Sequence, residues 1–139
     1  MMEKDNPVEW RLRSKVWIEV EGRPVMGEGR MAMLQAIHRC GSIIDASRET
    51  GISYRKIRGA VRDMETAVGR PLVKVFRGGG DGGGAMLTTE AHALMDAFRK
   101  FAAGLQQEAK VRFQNSFKPS SGTEWQNPPL AGKQGGYPA

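Results

Sequence analysis

Cysteine is nearly absent from this chain: Cys40 stands alone among 139 residues. One thiol excludes an internal disulfide and fits a reducing compartment. Histidine is almost as scarce. His38 and His92 are isolated in sequence, and no run of Cys, His, Asp and Glu has metal-ligand spacing, so no metal or cofactor is expected. No apolar run approaches the length of a membrane span. The opening "MMEKDNPVEW" lacks the apolar core of a secretory signal. No nucleophile stands beside an evident base, so catalysis is not expected either.

Positive charge is what the chain has in excess. Twenty-one Lys and Arg outnumber fifteen Asp and Glu, giving a net charge of +6 and a sequence pI near 9.8. That balance points to a polyanionic partner, although charge that merely keeps a protein soluble gives the same composition. The length suits one domain with a modest core.

Punctuation along the chain is clear. "KVWIEV" (Lys15–Val20) is β-branched and aromatic, and "EGRP" supplies a turn, so a short hairpin is expected with its second arm around Pro24–Met26. "RMAMLQAIHRC" (Arg30–Cys40) reads as a helix that Gly41 caps. Ser42 opens a second helix, with Asp45 in its first turn, and Gly51 closes it. Ser53 caps a third helix running to about Val68, stopped by Gly69 and Pro71. Two helices joined by "TGIS" have the spacing of a helix-turn-helix. Cys40 reads as a small buried residue at a helix end, and Met31, Met33, Met64 and Met95 as core filler.

The third helix has two unlike faces. Ile57, Ala60, Val61, Met64 and Val68 form an apolar stripe, while Arg55, Arg58, Gly59 and Arg62 fall on the opposite side. Such a basic front fits contact with DNA, where arginine forks to guanine edges or to phosphate. A merely solvated face is the alternative. Tyr54 suits stacking on a sugar, contact with a thymine methyl, or packing on the preceding turn. Gly59 leaves room for close approach to DNA or is a tolerated surface glycine.

Six glycines follow in "FRGGGDGGGAMLTT", broken by Asp81. A phosphate-binding P-loop needs a lysine and a hydroxyl residue straight after its glycines, and neither follows in that arrangement. A flexible linker is one reading, but the apolar flanks "LVKVF" (Leu72–Phe76) and "AMLT" (Ala85–Thr88) favour two strands with the glycines as their tip: a wing. From Thr88 or Thr89 as cap, a long amphipathic helix carries Ala91, Leu94, Met95, Phe98, Phe101, Ala102 and Leu105. It exceeds what a small core needs, so Leu94, Phe98, Phe101 and Leu105 are candidate dimer contacts. Residues 1–14 are expected to be flexible, 15–114 to form the domain, and 115–139, rich in Pro, Gly and Ser, to be a disordered tail.

With these motifs in place, "GSIIDASRETGISYRKIRGAVRDMETAVGRPLV" resembles the winged helix-turn-helix of LysR-type regulators. Together with "RGGGDGGGAMLTT" it resembles more closely the N-terminal DNA-binding domain of the ModE family of molybdate-responsive regulators. The resemblance implies a mostly α fold with small β, a winged helix-turn-helix with an N-terminal hairpin and a long C-terminal dimerisation helix. It implies a homodimer on a palindromic operator. Candidate DNA-contacting residues are Ser42, Ser53, Tyr54, Arg55, Lys56, Arg58 and Arg62, then Lys74, Arg77, Gly78, Gly79, Gly80, Gly82 and Gly83 of the wing.

Three departures from the family pattern bear on function. The chain stops where ModE proteins continue into molybdate-binding domains, so molybdate binding by this chain is not expected. Asp81 stands where lysine is frequent in the wing. Asp45 and Thr50 replace alanine and a larger apolar residue in the second helix, which suggests a helix N-terminal charge for the first and looser packing around the second. The expected function is sequence-specific binding of double-stranded DNA by a cytoplasmic, nucleoid-associated transcription regulator of a bacterium or archaeon, with no membrane partner. The alternatives are a protein-interaction module pairing with another regulator, and a low-specificity nucleoid DNA binder.

Overall fold

A computed structural model describes residues 8–77 and 83–117. Gly78, Gly79, Gly80, Asp81 and Gly82 at the wing tip lie outside the described residues, as do 1–7 of the N-terminal segment and 118–139 of the tail. The order is β1 (Trp17–Val20), β2 (Arg23–Gly27), α1 (Glu28–Cys40), α2 (Ile43–Thr50), α3 (Tyr54–Val68), β3 (Val73–Phe76), β4 (Gly84–Leu87) and α4 (Thr89–Phe117). The described residues divide into two compact units, Arg13–Gln107 and a smaller one joining residues up to Leu12 with those from Glu108.

In the larger unit, β1 and β2 pair antiparallel and meet at Val20 and Arg23. Glu21 and Gly22 between them have φ of 51° and 79°, the two positive values that a tight type I′ hairpin turn demands. Helix α1 starts at Glu28, two residues before the sequence suggested, because β2 runs straight into it through an extended Gly27 that offers no side-chain cap. The other helix ends follow local chemistry. Gly41, Gly51 and Gly69 adopt left-handed φ of 70°, 74° and 75°, each donating its N–H back to the preceding helix. The hydroxyls of Ser42 and Ser53 accept from Asp45 N and Lys56 N at 3.1 Å, caps worth about 1 kcal/mol each.

Met26, Leu34, Ile37, Ile57, Met64 and Leu72 are the largest fully buried side chains, so β2, α1, α3 and the start of the wing share one core. Burying each contributes about 1.5–3 kcal/mol. Met31, Met33 and Met95 are buried there too. The wing strands pair antiparallel from Val73 with Leu87 to Phe76 with Gly84. Leu72 precedes β3; its N–H donates to the Glu65 carboxylate at 2.7 Å and its carbonyl accepts from Thr88 N at 2.9 Å. Ala85 N–H donates to Gly41 O at 2.8 Å, fastening β4 to the end of α1. Thr88 is the cap of α4: its hydroxyl accepts from Ala91 N at 3.1 Å and donates to Pro71 O at 2.8 Å.

Helix α4 ends at Phe117, three residues beyond the expected domain limit. In the smaller unit the Trp10 and Phe117 rings stack at 5.8 Å, and Phe113 and Phe117 at 5.3 Å.

Candidate nucleic-acid interface

Helix α3 sorts its residues by face. Ile57, Ala60, Val61 and Met64 are buried and Val68 is half-buried. Ser53, Tyr54, Arg55, Lys56, Gly59 and Arg62 are exposed; Arg58 is half-buried, less free than its place on the front suggested. Tyr54 retains 46% of its surface. Beyond its chain neighbours and the backbone of its own helical turn, no atom of the described residues lies within 4 Å of where a Gly59 Cβ would stand, so no packing contact among them requires that glycine.

The electrostatics of α3 are one-sided. Its cations Arg55, Lys56, Arg58 and Arg62 form no ion pair among the described residues. Its two carboxylates are turned to internal tasks. Asp63 faces Arg30 at 3.9 Å, and Arg30 also donates to Ala60 O at 3.3 Å, tying α1 to α3. Glu65 accepts from Leu72 N and Val73 N at 2.7 and 3.2 Å and so anchors the wing. Unpaired cations occur elsewhere, but nowhere else among the described residues do four fall within eight positions. The field of the helix front is therefore left for an external anion.

Lys74 and Arg77 at the wing root are exposed and also without an ion pair among the described residues. Gly83 is exposed too, and it has a steric reason to be glycine: a Cβ there would sit 2.0 Å from the Phe76 carbonyl oxygen. Ser42 is half-buried; its oxygen serves the α2 cap.

Several features differ from the sequence reading. Phe98, a candidate dimer contact, lies in the core at 7% exposure, and Ala102 one turn on still packs against that core. Leu94 is half-buried against the core, whereas Phe101 and Leu105 keep 52% and 38% of their surface. Thr50 is not loosely packed. Its hydroxyl donates to Ala46 O at 2.8 Å and accepts from Ile52 N at 3.2 Å. Cys40 is half-buried rather than buried, and its thiol donates to Glu49 Oε2 at 2.7 Å. Arg39 holds the other oxygen of Glu49, with Nε at 2.8 Å. Hydrogen bonding to Glu49, reinforced by burial, raises the Cys40 pKa, while bonds from Arg39 and Cys40 lower that of Glu49.

His38 and His92, far apart in sequence, meet edge to face with ring centroids 5.0 Å apart. They line a groove of about 460 Å³ with Gln35, Arg39, Met95, Asp96 and Arg99. Among the described residues no three His, Cys, Asp or Glu side chains converge to hold a metal ion. No described helix is long and apolar enough to cross a membrane. Neither the histidine contact nor the task of Glu65 had a signal in the sequence, since each depends on residues that the fold brings together, whereas Thr50 bonds only to Ala46 and Ile52 nearby in the chain.

Comparison with known proteins accords with this geometry. Residues 29–92 match the family of bacterial regulatory helix-turn-helix proteins of the lysR type. Over 80 residues the chain is 41% identical to the molybdenum-pterin-binding protein MopB of Rhodobacter capsulatus, covering 58% of this chain and 30% of MopB. It is 38% identical to the transcriptional regulator ModE of Yersinia pestis over 80 residues, with the same coverage. It is 34% identical to the DNA-binding transcriptional dual regulator ModE of Escherichia coli (strain K12), again covering 58% of this chain and 30% of that protein. Among solved structures, the full-length LTTR LysG from Corynebacterium glutamicum with bound effector Arg is similar at 29% identity. Its TM-score is 0.45, with 65% of this chain and 29% of that chain covered. The chain thus spans about a third of the length of these relatives. Over residues 29–92 the chain carries a winged helix-turn-helix that matches the bacterial regulatory lysR family, and over much the same stretch it is similar to ModE proteins.

Proposed function

We propose that this chain binds double-stranded DNA in a sequence-specific manner, as a homodimer, and regulates transcription in a bacterial cytoplasm without enzymatic activity. The observation that carries this reading is the front of α3, with four cations unpaired among the described residues and both carboxylates committed elsewhere. Lysine and arginine contacts to phosphates supply affinity by releasing counterions. Side chains from the first turns of α3, Tyr54, Arg55 and Lys56 above all, enter the major groove, each good bidentate base contact discriminating by about 1–3 kcal/mol. Lys74 and Arg77 bring the wing to the neighbouring backbone.

Dimerisation uses the exposed apolar residues of α4, Phe101 and Leu105. The protein-interaction reading rests on that same surface. The molybdenum-pterin binding that MopB's name states belongs to that protein, of which the matched segment covers 30%.

Selection of bound duplexes from a random pool at near-physiological salt tests the proposal. Enrichment of an inverted repeat with half-sites about one helical turn apart is the expected result. Binding without enrichment replaces it with low-specificity binding, and no binding leaves the protein-interaction module.

A further inference from the structure

The turn between α2 and α3 is fastened by α2 itself. Gly51 turns the chain at φ 74° and donates its N–H to Ser47 O at 2.9 Å. The next residue, Ile52, has both backbone polar groups bonded to α2 hydroxyls. Ser47 Oγ donates to Ile52 O at 2.6 Å, and Ile52 N–H donates to Thr50 Oγ1 at 3.2 Å. Thr50 in turn donates its proton to Ala46 O at 2.8 Å, so its oxygen is oriented to accept. The Ile52 side chain packs against the core, and Ser53 directly after it caps α3. From the last turn of α2 to the first of α3, hydrogen bonds and one apolar contact fix the path of the backbone.

We infer that Ser47 and Thr50 are positioning residues for base recognition: their hydroxyls set the direction in which α3 presents Tyr54, Arg55 and Lys56. This inference rests on the DNA-binding reading above. Its physical basis is that two kinds of contact differ in tolerance. Attraction to phosphates falls off gradually with distance, so a small rotation of α3 changes it little. A bidentate bond to a base edge is directional and weakens steeply when misaligned. Loosening the turn therefore costs discrimination rather than general affinity. Both hydroxyl sites are only half-buried, so water can take over the freed backbone groups and the fold survives their loss.

The test uses the full chain, the duplex enriched from the random pool and an unrelated duplex of equal length. Thr50→Val keeps shape and removes the hydroxyl; Thr50→Ser keeps the hydroxyl; Ser47→Ala supplies an independent cut on the other side of Ile52. Thr50→Val and Ser47→Ala are each expected to weaken binding to the enriched duplex about tenfold, equivalent to about 1.4 kcal/mol. Binding to the unrelated duplex should stay within about twofold and the salt slope should be unchanged. Thr50→Ser should restore the preference.

The inference is overturned if the hydroxyl-free variants keep the wild-type preference. It is also overturned if they lose both duplexes equally, or if Thr50→Ser behaves like Thr50→Val. Should Thr50→Val fail to fold, Ser47→Ala alone decides. A wild-type chain that prefers no duplex removes the DNA-recognition proposal itself, and this inference with it.

Discussion

Helices α3 and α4 both mix cations with apolar residues, yet they dispose of them in opposite ways. Both arginines of α4 bond to a carboxylate one turn away, Arg99 to Asp96 and Arg112 to Glu108, each at 2.9 Å. Its exposed surface includes Phe101, Leu105 and Val111. The arginines of α3 have no such partner among the described residues, and its exposed surface is basic, with Tyr54 as the exposed aromatic. A helix that pairs its arginines on its own surface and leaves apolar residues outside suits another protein surface. One that engages its acids with Arg30 and the wing backbone and leaves its bases unpaired among the described residues suits a polyanion.

The largest expected effect would break both helices at once. Ile57 is fully buried on the back of α3 within the core that α4 also joins through Met95 and Phe98. Ile57→Ala should cost about 2–5 kcal/mol of stability by cavity formation, measured by urea denaturation. A cost below about 1 kcal/mol would mean that the back of α3 is not core. Next comes the contrast in charge. Arg55→Ala should weaken binding to an enriched duplex by about 1–3 kcal/mol, while Arg99→Ala on α4 should change it little. Equal losses measured by fluorescence anisotropy would erase the distinction between the two helices.

Gly59 gives a finer edge. Replacing a helix-interior glycine with alanine stabilises by about 0.5–1 kcal/mol where the space is open, as it is here. Gly59→Ala should therefore raise the melting temperature yet weaken DNA binding, because the added methyl stands on the face proposed to approach DNA. A rise in both would show that α3 does not come close to DNA at that point.

The smallest expected effect concerns the Arg39–Glu49–Cys40 cluster. Glu49 has its pKa lowered in the fold, so its contribution is present above the ordinary carboxylate range and fades as pH falls through the lowered value. Glu49→Gln should remove that part of the acid dependence of stability. It should also speed alkylation of Cys40 at mildly alkaline pH, since the carboxylate that opposes thiolate formation is gone. An unchanged alkylation rate would contradict the Cys40–Glu49 bond.

Much of this architecture was legible because its signals are local. Gly41, Gly51 and Gly69 after apolar periodicities, and Ser42 and Ser53 before them, mark helix ends through backbone conformation and capping. The two faces of α3 follow from helical geometry alone. Most of what stayed hidden depends on distance in sequence, with Thr50 as the local exception. An apolar stripe such as Leu94 to Leu105 does not say where the core ends: Phe98 is its last buried residue, Ala102 still packs against it, and Phe101 and Leu105 face outward. The substitution of Thr50 for an apolar residue suggested looseness, because its two partners, Ala46 O and Ile52 N, are chosen by the turn and not by residue type. Glu65 reads as one more surface acid until Leu72 and Val73 are folded back onto it.

The central claim is that the front of α3 is a polyanion-binding surface, and a salt titration of duplex binding tests it most directly. If Arg55, Lys56, Arg58 and Arg62 each neutralise a phosphate, log K should fall against log salt with a slope contribution of about −3.6 per bound domain. Replacing all four with alanine should flatten the slope by that amount while leaving the melting temperature near its original value. A slope unchanged by the fourfold replacement, in a chain that remains folded, would contradict the claim.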